Sequence, residues 1–160
     1  MTPARNTAAD PEVAEFAGQL FFRLWRASHT RTAEALGGVD LTPATFALLN
    51  VLGARAGAIQ RELSTDMGID PSAMVALIDE LERAGLVERR RRPEDRRAWE
   101  VAITPKGRRT LKAARRLAEQ VEDEVLGGLK PAERRQLLTL LRRALHSAPP
   151  QPPWPSPDGE

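Results

Sequence analysis

The chain of 160 residues is long enough for one domain with a real core, and its formal charge is only +2 although it carries 24 Lys and Arg, so it is not uniformly cationic. It has no cysteine, which excludes disulfides, thiolate metal sites and cysteine redox switches. No apolar run approaches membrane-spanning length and the first residues, MTPARNTAADPE, lack a signal-peptide core, so a cytoplasmic chain without a membrane partner is expected.

Residues 1–9 read as disordered. Asp10-Pro11 then reads as an N-cap with proline at the first helical position. Val13, Phe16, Leu20, Phe21 and Leu24 follow at helical spacing, which predicts a first helix from residue 10 to about 36, stopped by Gly37-Gly38. Thr42-Pro43 opens a second helix by the same logic, with Phe46, Leu49 and Leu52 on its buried face. A short third helix is expected from about residue 58 to 67, with Ile59 and Leu63 inward and Gly68 at its end. Asp70-Pro71 opens a fourth, whose Met74, Leu77, Ile78 and Leu81 form one apolar stripe, and Gly85 closes it.

The apolar period then changes from 3.6 to 2. Residues 86–91 are predicted to pair with 98–103 across a Pro-Glu-Asp turn. Val87, Arg89 and Arg91 alternate on one strand and Trp99, Val101 and Ile103 on the other, as in a half-buried hairpin. Thr104-Pro105 starts a long fifth helix to about residue 126, and its Leu111, Ala114, Ala118, Val121 and Val125 make a narrow seam suited to another helix. Gly127-Gly128 breaks it. A sixth helix over residues 131–146 carries Leu137, Leu138, Leu141 and Leu145. The remaining segment, APPQPPWPSPDGE, has six prolines in thirteen residues and reads as extended and unpacked.

Charge is segregated along this order. Residues 83–116 hold thirteen Lys and Arg against four Asp and Glu, leaving eleven against eighteen elsewhere. Within that stretch RAGLVERRRRPEDRR, residues 83–97, has seven arginines and three carboxylates. A helix followed by an arginine-tipped hairpin suits double-stranded DNA: the helix fills a major groove and the tip reaches phosphates or the minor groove. A solvated charged face is the plain alternative, and the adjoining helix–turn–helix pattern favours DNA. The lead of arginine over lysine, twenty-one to three, carries little weight, because a GC-rich coding sequence explains it. No nucleophile–base motif, phosphate-cradling glycine loop or metal-ligand spacing is present, so neither an enzyme nor a cofactor is expected. His29 and His146 alone make no metal site.

The order of elements from about residue 13 to 145 resembles the MarR (multiple antibiotic resistance regulator) family of winged helix–turn–helix transcription factors. The stretches that carry the resemblance are Gly68-Ile69-Asp70-Pro71-Ser72, Leu81 through Arg89, Pro93-Glu94-Asp95-Arg96-Arg97 and Ile103-Thr104-Pro105-Lys106-Gly107. It implies a mainly α fold with a small β-hairpin wing. Residues 41–103 would be the winged helix–turn–helix, 10–40 and 104–147 a helical dimerisation region, and 148–160 a disordered tail. It implies a homodimer built on the first, fifth and sixth helices, with Val13, Phe16, Leu20, Val121, Val125, Leu138 and Leu141 as candidate interface residues. It further implies a pseudo-palindromic operator, repression, and release by a small aromatic or phenolic effector.

The wing residues have physical reasons of their own. Asp95 can hold Arg97 through a carboxylate–guanidinium pair, and an ordered guanidinium enters a narrow A·T-rich minor groove favourably. Arg96 would be a second contact, and Arg89 and Arg91 would face the duplex backbone. On the recognition helix the candidates are Ser72, Ala73, Val75, Ala76 and Arg83. Three of these are small and apolar where relatives often carry Thr, Ser or Arg, so weak base readout is expected, with thymine methyl contacts from Ala73 and Ala76. Gln60, Arg61, Ser64 and Thr65 on the third helix are candidate phosphate donors or, equally, a solvated face. The resemblance places an effector cleft at Trp25, His29, Phe46, Leu49, Asn50 and Arg108, although ordinary packing explains each singly. The apolar recognition helix and its acidic residues, Asp79 and Glu80, keep a second function open: a winged-helix protein-interaction module with little sequence-specific DNA binding.

Overall fold

The computed structural model describes residues 16–92 and 99–148. In chain order the elements are α1 (Ala17–Gly37), α2 (Pro43–Gly53), α3 (Gln60–Met67), α4 (Pro71–Arg83), β1 (Val87–Arg91), β2 (Trp99–Ile103), α5 (Pro105–Val125) and α6 (Pro131–Ser147). The fold is thus mainly helical with one antiparallel hairpin. No helix among the described residues is long and apolar enough to cross a membrane.

Capping chemistry sets the helix starts around the hairpin. Thr42 and Thr45 exchange hydrogen bonds: Thr45 N donates to Thr42 Oγ1 (3.2 Å) and Thr42 N to Thr45 Oγ1 (2.9 Å). Together they satisfy two amides that helix geometry leaves orphaned. Asp70 caps α4 and Thr104 caps α5, and proline opens each of these three helices. Two starts differ from expectation. Phe16 is extended, with φ −81° and ψ 137°, and has no side-chain cap, so α1 begins at Ala17 rather than running unbroken from residue 10. The Asp10-Pro11 signal itself lies outside the described residues.

The third helix also begins later than its apolar spacing suggests. Ala58 is paired with Val101: Ala58 N donates to Val101 O (3.0 Å) and Val101 N to Ala58 O (2.8 Å). That bridge uses backbone groups on the outer edge of β2 that would otherwise be buried without partners. It ties the segment before α3 to the hairpin. Glu62 then caps α3 by accepting from Ile59 N at 3.3 Å.

One core joins the parts. Leu36, Leu48, Leu49, Leu52, Leu63, Met74, Ile78 and Leu81 are buried together, and Val87, Val101, Ile103, Leu111 and Ala114 extend the cluster under the hairpin and onto α5. The hairpin register pairs Val87 with Ile103, Arg89 with Val101 and Arg91 with Trp99. β2 does not alternate: Glu100, Val101, Ala102 and Ile103 are all buried and only Trp99 is exposed. One face of β2 meets α2, and the other is covered through Glu100 by Arg90 of β1, by Arg92 just beyond it and by the loop at Gly57.

Candidate nucleic-acid interface

Gly68 ends α3 in the left-handed region (φ 62°), which glycine adopts without steric cost, and the chain turns at once into α4. Asp70 Oδ1 accepts from Ser72 N (2.8 Å) and from Ser72 Oγ (2.5 Å). The side-chain bond first, then the backbone bond, holds the Asp70 carboxyl below its ordinary pKa. α4 buries Met74, Ile78 and Leu81 and turns Ser72, Val75, Ala76 and Arg83 outward, with Ala73 half-buried. Its outward face is therefore small and nearly uncharged at its N-terminal half.

Behind that face sits a three-residue ion cluster. Arg89 on β1 donates through Nη1 to Glu82 and through Nη2 to Asp79, while its backbone N–H donates to Glu82 Oε1 at 3.1 Å. Burial pulls the Arg89 pKa down, but the hydrogen bonds and charges of Asp79 and Glu82 outweigh it and raise the guanidinium above its usual value. This corrects one expectation. Arg89 does not point along the outer edge of the hairpin, because two carboxylates one helical turn apart on α4 draw it inward. It bolts the hairpin to the recognition helix.

The neighbouring arginines are arranged around Glu100, a residue that the apolar pattern of β2 did not single out. Glu100 is 8% exposed and accepts from Arg90 Nε at 2.9 Å, with Arg92 Nε at 3.9 Å from its other oxygen. Arg90 also donates to Ala56 O (2.7 Å). A Cβ at Gly57 would lie 2.6 Å from the Glu100 carboxyl carbon, so glycine is what admits the carboxylate there. The available signal was a carboxylate paired in register with Arg90 in an apolar strand. Arg91 takes the opposite side and stacks its guanidinium 4.1 Å above the exposed Trp99 ring. Asp95, Arg96 and Arg97 lie outside the described residues.

The base of the hairpin is locked to α5. Thr104 N donates to Leu86 O (3.0 Å), Thr104 Oγ1 to Gly85 O (2.8 Å) and Lys106 Nζ to Ala84 O (2.7 Å). On α3, Arg61 and Thr65 are exposed, Gln60 is half-buried, and the Thr65 hydroxyl donates to Arg61 O (3.0 Å). Ser64 was expected among the phosphate donors, but it is buried, on the side of α3 that packs inward beside Leu63.

The expected effector residues do not all line one cleft. Trp25 stacks on His29 (centroids 4.8 Å) and on Phe22 (6.2 Å) along an exposed face of α1. Leu49 is fully buried in the core and lines no cleft, because α2 packs that face against the other helices. Phe46 packs half-buried against the same core. Asn50 Oδ1 accepts from Arg115 Nε (2.8 Å), and Arg115 and Arg108 together line a notch between α2 and α5.

Of the expected dimer residues, Phe16 and Leu20 are exposed and Val125, Leu138 and Leu141 are half-buried. Val121 is a correction: it is buried within the single chain, where α5 packs along α1, so it has no surface to offer a partner. Val13 lies outside the described residues. Phe21, Phe22, Leu24 and Trp25 on α1 and Leu140 and Leu145 on α6 are large, apolar and exposed as well.

Two helices joined by a tight turn, the second continuing into a hairpin that is bridged back to the first, define a winged helix–turn–helix. The family model described as the MarR family matches residues 39–98, the span from the end of α1 into the wing. The chain is 31% identical over 147 residues, 88% of its length and 87% of the relative's, to a putative transcriptional regulatory protein for the hcr operon of Thauera aromatica. Among solved structures it resembles CouR from Rhodococcus jostii RHA1 bound to p-coumaroyl-CoA (29% identity, TM-score 0.73, covering 84% of this chain and 94% of that one). It also resembles a cysteine-to-serine mutant of MarR from E. coli complexed with operator DNA (26%, TM-score 0.70, covering 80% and 92%). The chain belongs to the MarR family of transcriptional regulators.

Proposed function

We propose that this regulator is a homodimer that represses transcription from a pseudo-palindromic operator and releases it on binding a small aromatic effector. The observation that carries the DNA reading is the ion cluster at Arg89. Acidic groups on a recognition helix repel phosphates, and Asp79 and Glu80, together with the apolar outer face, are what favours a protein-interaction module instead; of the two, Asp79 is paired with Arg89. With Arg89 seated between Asp79 and Glu82, one of their two charges is cancelled inside the protein. Arg83, Arg91 and the arginines at 96 and 97 are then the groups offered to the duplex, and the bare face of Ala73, Val75 and Ala76 suits close apposition to base edges with little direct readout. Specificity then rests on wing contacts, operator shape and half-site spacing.

The exposed Phe16 before α1 and Leu20, Phe21, Phe22 and Trp25 on it support dimerisation, since large apolar side chains grouped in water mark an interface. The effector reading rests on kinship with a protein solved with an aromatic thioester and on the aromatic ladder of Phe22, Trp25 and His29.

Fluorescence anisotropy on DNA from just upstream of its own gene, beside a scrambled duplex, tests the reading. A specific excess of about 10³ or more, falling steeply with salt, is expected. Arg97→Ala should weaken binding by about 1–3 kcal/mol, and equal weak affinity for both duplexes would return the interaction module to the front. Phe22→Asp should give a monomer by light scattering, and a stable dimer would reject α1 as the interface.

A further inference from the structure

Between the end of α2 and the first half of α5 lies an open notch of about 430 Å³. Its floor is Gly53 and Leu111, and its walls are Arg108, Lys112, Arg115 and Arg116. Glu119, one turn farther along α5, supplies the single carboxylate at its edge. Among the described residues, none of the four cations pairs with a carboxylate, and Arg115 spends only its Nε–H, on Asn50.

This crowding works against the helix that carries it. Arg108 and Lys112, Lys112 and Arg116, and Lys112 and Arg115 stand four or three residues apart, where like charges destabilise a helix. The rest of α5 has acidic residues to hand, Glu119, Glu122, Asp123 and Glu124, but none is interleaved with this stretch. Cations gathered in a concave site focus a positive potential and raise the local concentration of anions. The volume falls within the roughly 300–1,000 Å³ of small-molecule sites. A duplex, by contrast, is a broad convex cylinder and needs a protruding element rather than a notch.

We infer that this notch binds the phosphate groups of a small effector carrying at least two negative charges, a diphosphate or a bisphosphorylated nucleotide. The inference rests on the effector reading above and deepens it: the regulatory ligand is an anion with phosphates, and a simple aromatic acid would fill only part of its site. Asn50 is a positioning residue that turns the Arg115 fork toward the notch.

The test is isothermal titration calorimetry of the full chain with inorganic pyrophosphate, with adenosine 3′,5′-bisphosphate and with benzoate. The comparison protein is Lys112→Gln/Arg116→Gln, which should fold at least as well because it relieves the like-charge crowding. The expected result is phosphate-ligand binding at least tenfold weaker in the double variant, with unliganded affinity for DNA the same in both proteins at physiological salt. Binding of pyrophosphate alone makes the phosphates sufficient, and binding of only the bisphosphate assigns the site to a nucleotide-bearing ligand. Equal phosphate affinity in the two proteins overturns the inference. So does a variant that loses DNA affinity without ligand, because the stripe would then be a duplex contact. Release of DNA by benzoate with no phosphate binding overturns the inference and leaves the effector reading intact. Phosphate binding at the notch with no effect on DNA keeps the site and removes the effector reading.

Discussion

Gly107 is the position where one added methyl group should do most damage. It sits in the first turn of α5, and a Cβ built there would lie 2.0 Å from the backbone oxygen of Leu86 and 2.8 Å from Ile103 Cγ1. The first of these is short of ordinary van der Waals contact by roughly 1.4 Å. Leu86 cannot move away freely. Its carbonyl accepts from Thr104 N at 3.0 Å and its own N–H donates to Leu81 O at 2.9 Å, so retreat strains the joint between α4, the hairpin and α5. Overpacking of this kind costs about 1–3 kcal/mol, and a weakened backbone hydrogen bond adds about 1 kcal/mol. The gain in helix propensity from glycine to alanine returns about 1 kcal/mol at most. Gly107→Ala should therefore destabilise the protein by about 1–3 kcal/mol, in a position where propensity alone predicts a gain. Urea unfolding followed by far-UV circular dichroism, at one fixed protein concentration because self-association would couple to stability, measures it. Gly37→Ala is the control: nothing lies within 4 Å of its Cβ position, so that substitution should be neutral or slightly stabilising. A Gly107→Ala protein as stable as the parent would refute the argument that close backbone approach, rather than chance, placed glycine there.

Arg89→Gln should cost about 1–2 kcal/mol, a figure kept low because Asp79 and Glu82 are 48% and 38% exposed and water screens their repulsion. The same variant should weaken DNA binding, since two uncancelled carboxylates would then back the recognition helix; unchanged affinity by anisotropy would show that the cluster serves stability alone. Asp70→Asn probes acid behaviour. The folded pKa of Asp70 lies below its ordinary value, chiefly because of the hydrogen bonds from Ser72, so its stabilisation is present at neutral pH and is lost as the pH falls below the unfolded value and through the folded one. Asparagine caps helices about as well, so neutral stability should hardly change while the acid limb of the stability curve flattens. Parallel acid limbs in the two proteins would exclude Asp70 as a source of that dependence.

Local signals located most elements. The Thr-Pro and Asp-Pro pairs marked the starts of α2, α4 and α5 because capping and proline act within a few residues. The apolar stripe of α4 named its buried face correctly, since a helix surface repeats regularly. Ala58 was misplaced because its partner, Val101, lies more than forty residues away, and no local pattern reports so distant a backbone pair. Arg89 and Arg91 stand two apart on one strand and were read alike, yet one is drawn to α4 and the other to Trp99. That difference arises from what packs on each position, which strand periodicity does not contain. Glu100 was passed over for the same reason. Leu49 and Val121 were assigned to a cleft and a partner surface, whereas both are needed inside the protomer.

The hydrogen bonds from Thr104 and Lys106 to residues 84–86 fuse the first turn of α5 to the recognition helix and wing. Farther along, the same helix lies against α1, the element with the exposed aromatic face. α5 has 21 residues, a rod of about 30 Å. A tilt of about 5° at its far end moves the near end by about 3 Å, close to the spacing of about 3.4 Å between successive base pairs. In a dimer, small changes in how two protomers lean together would thus be converted into whole-step mismatches between reading heads and half-sites. An effector would need to do no more than wedge the rod, without touching any group that meets DNA.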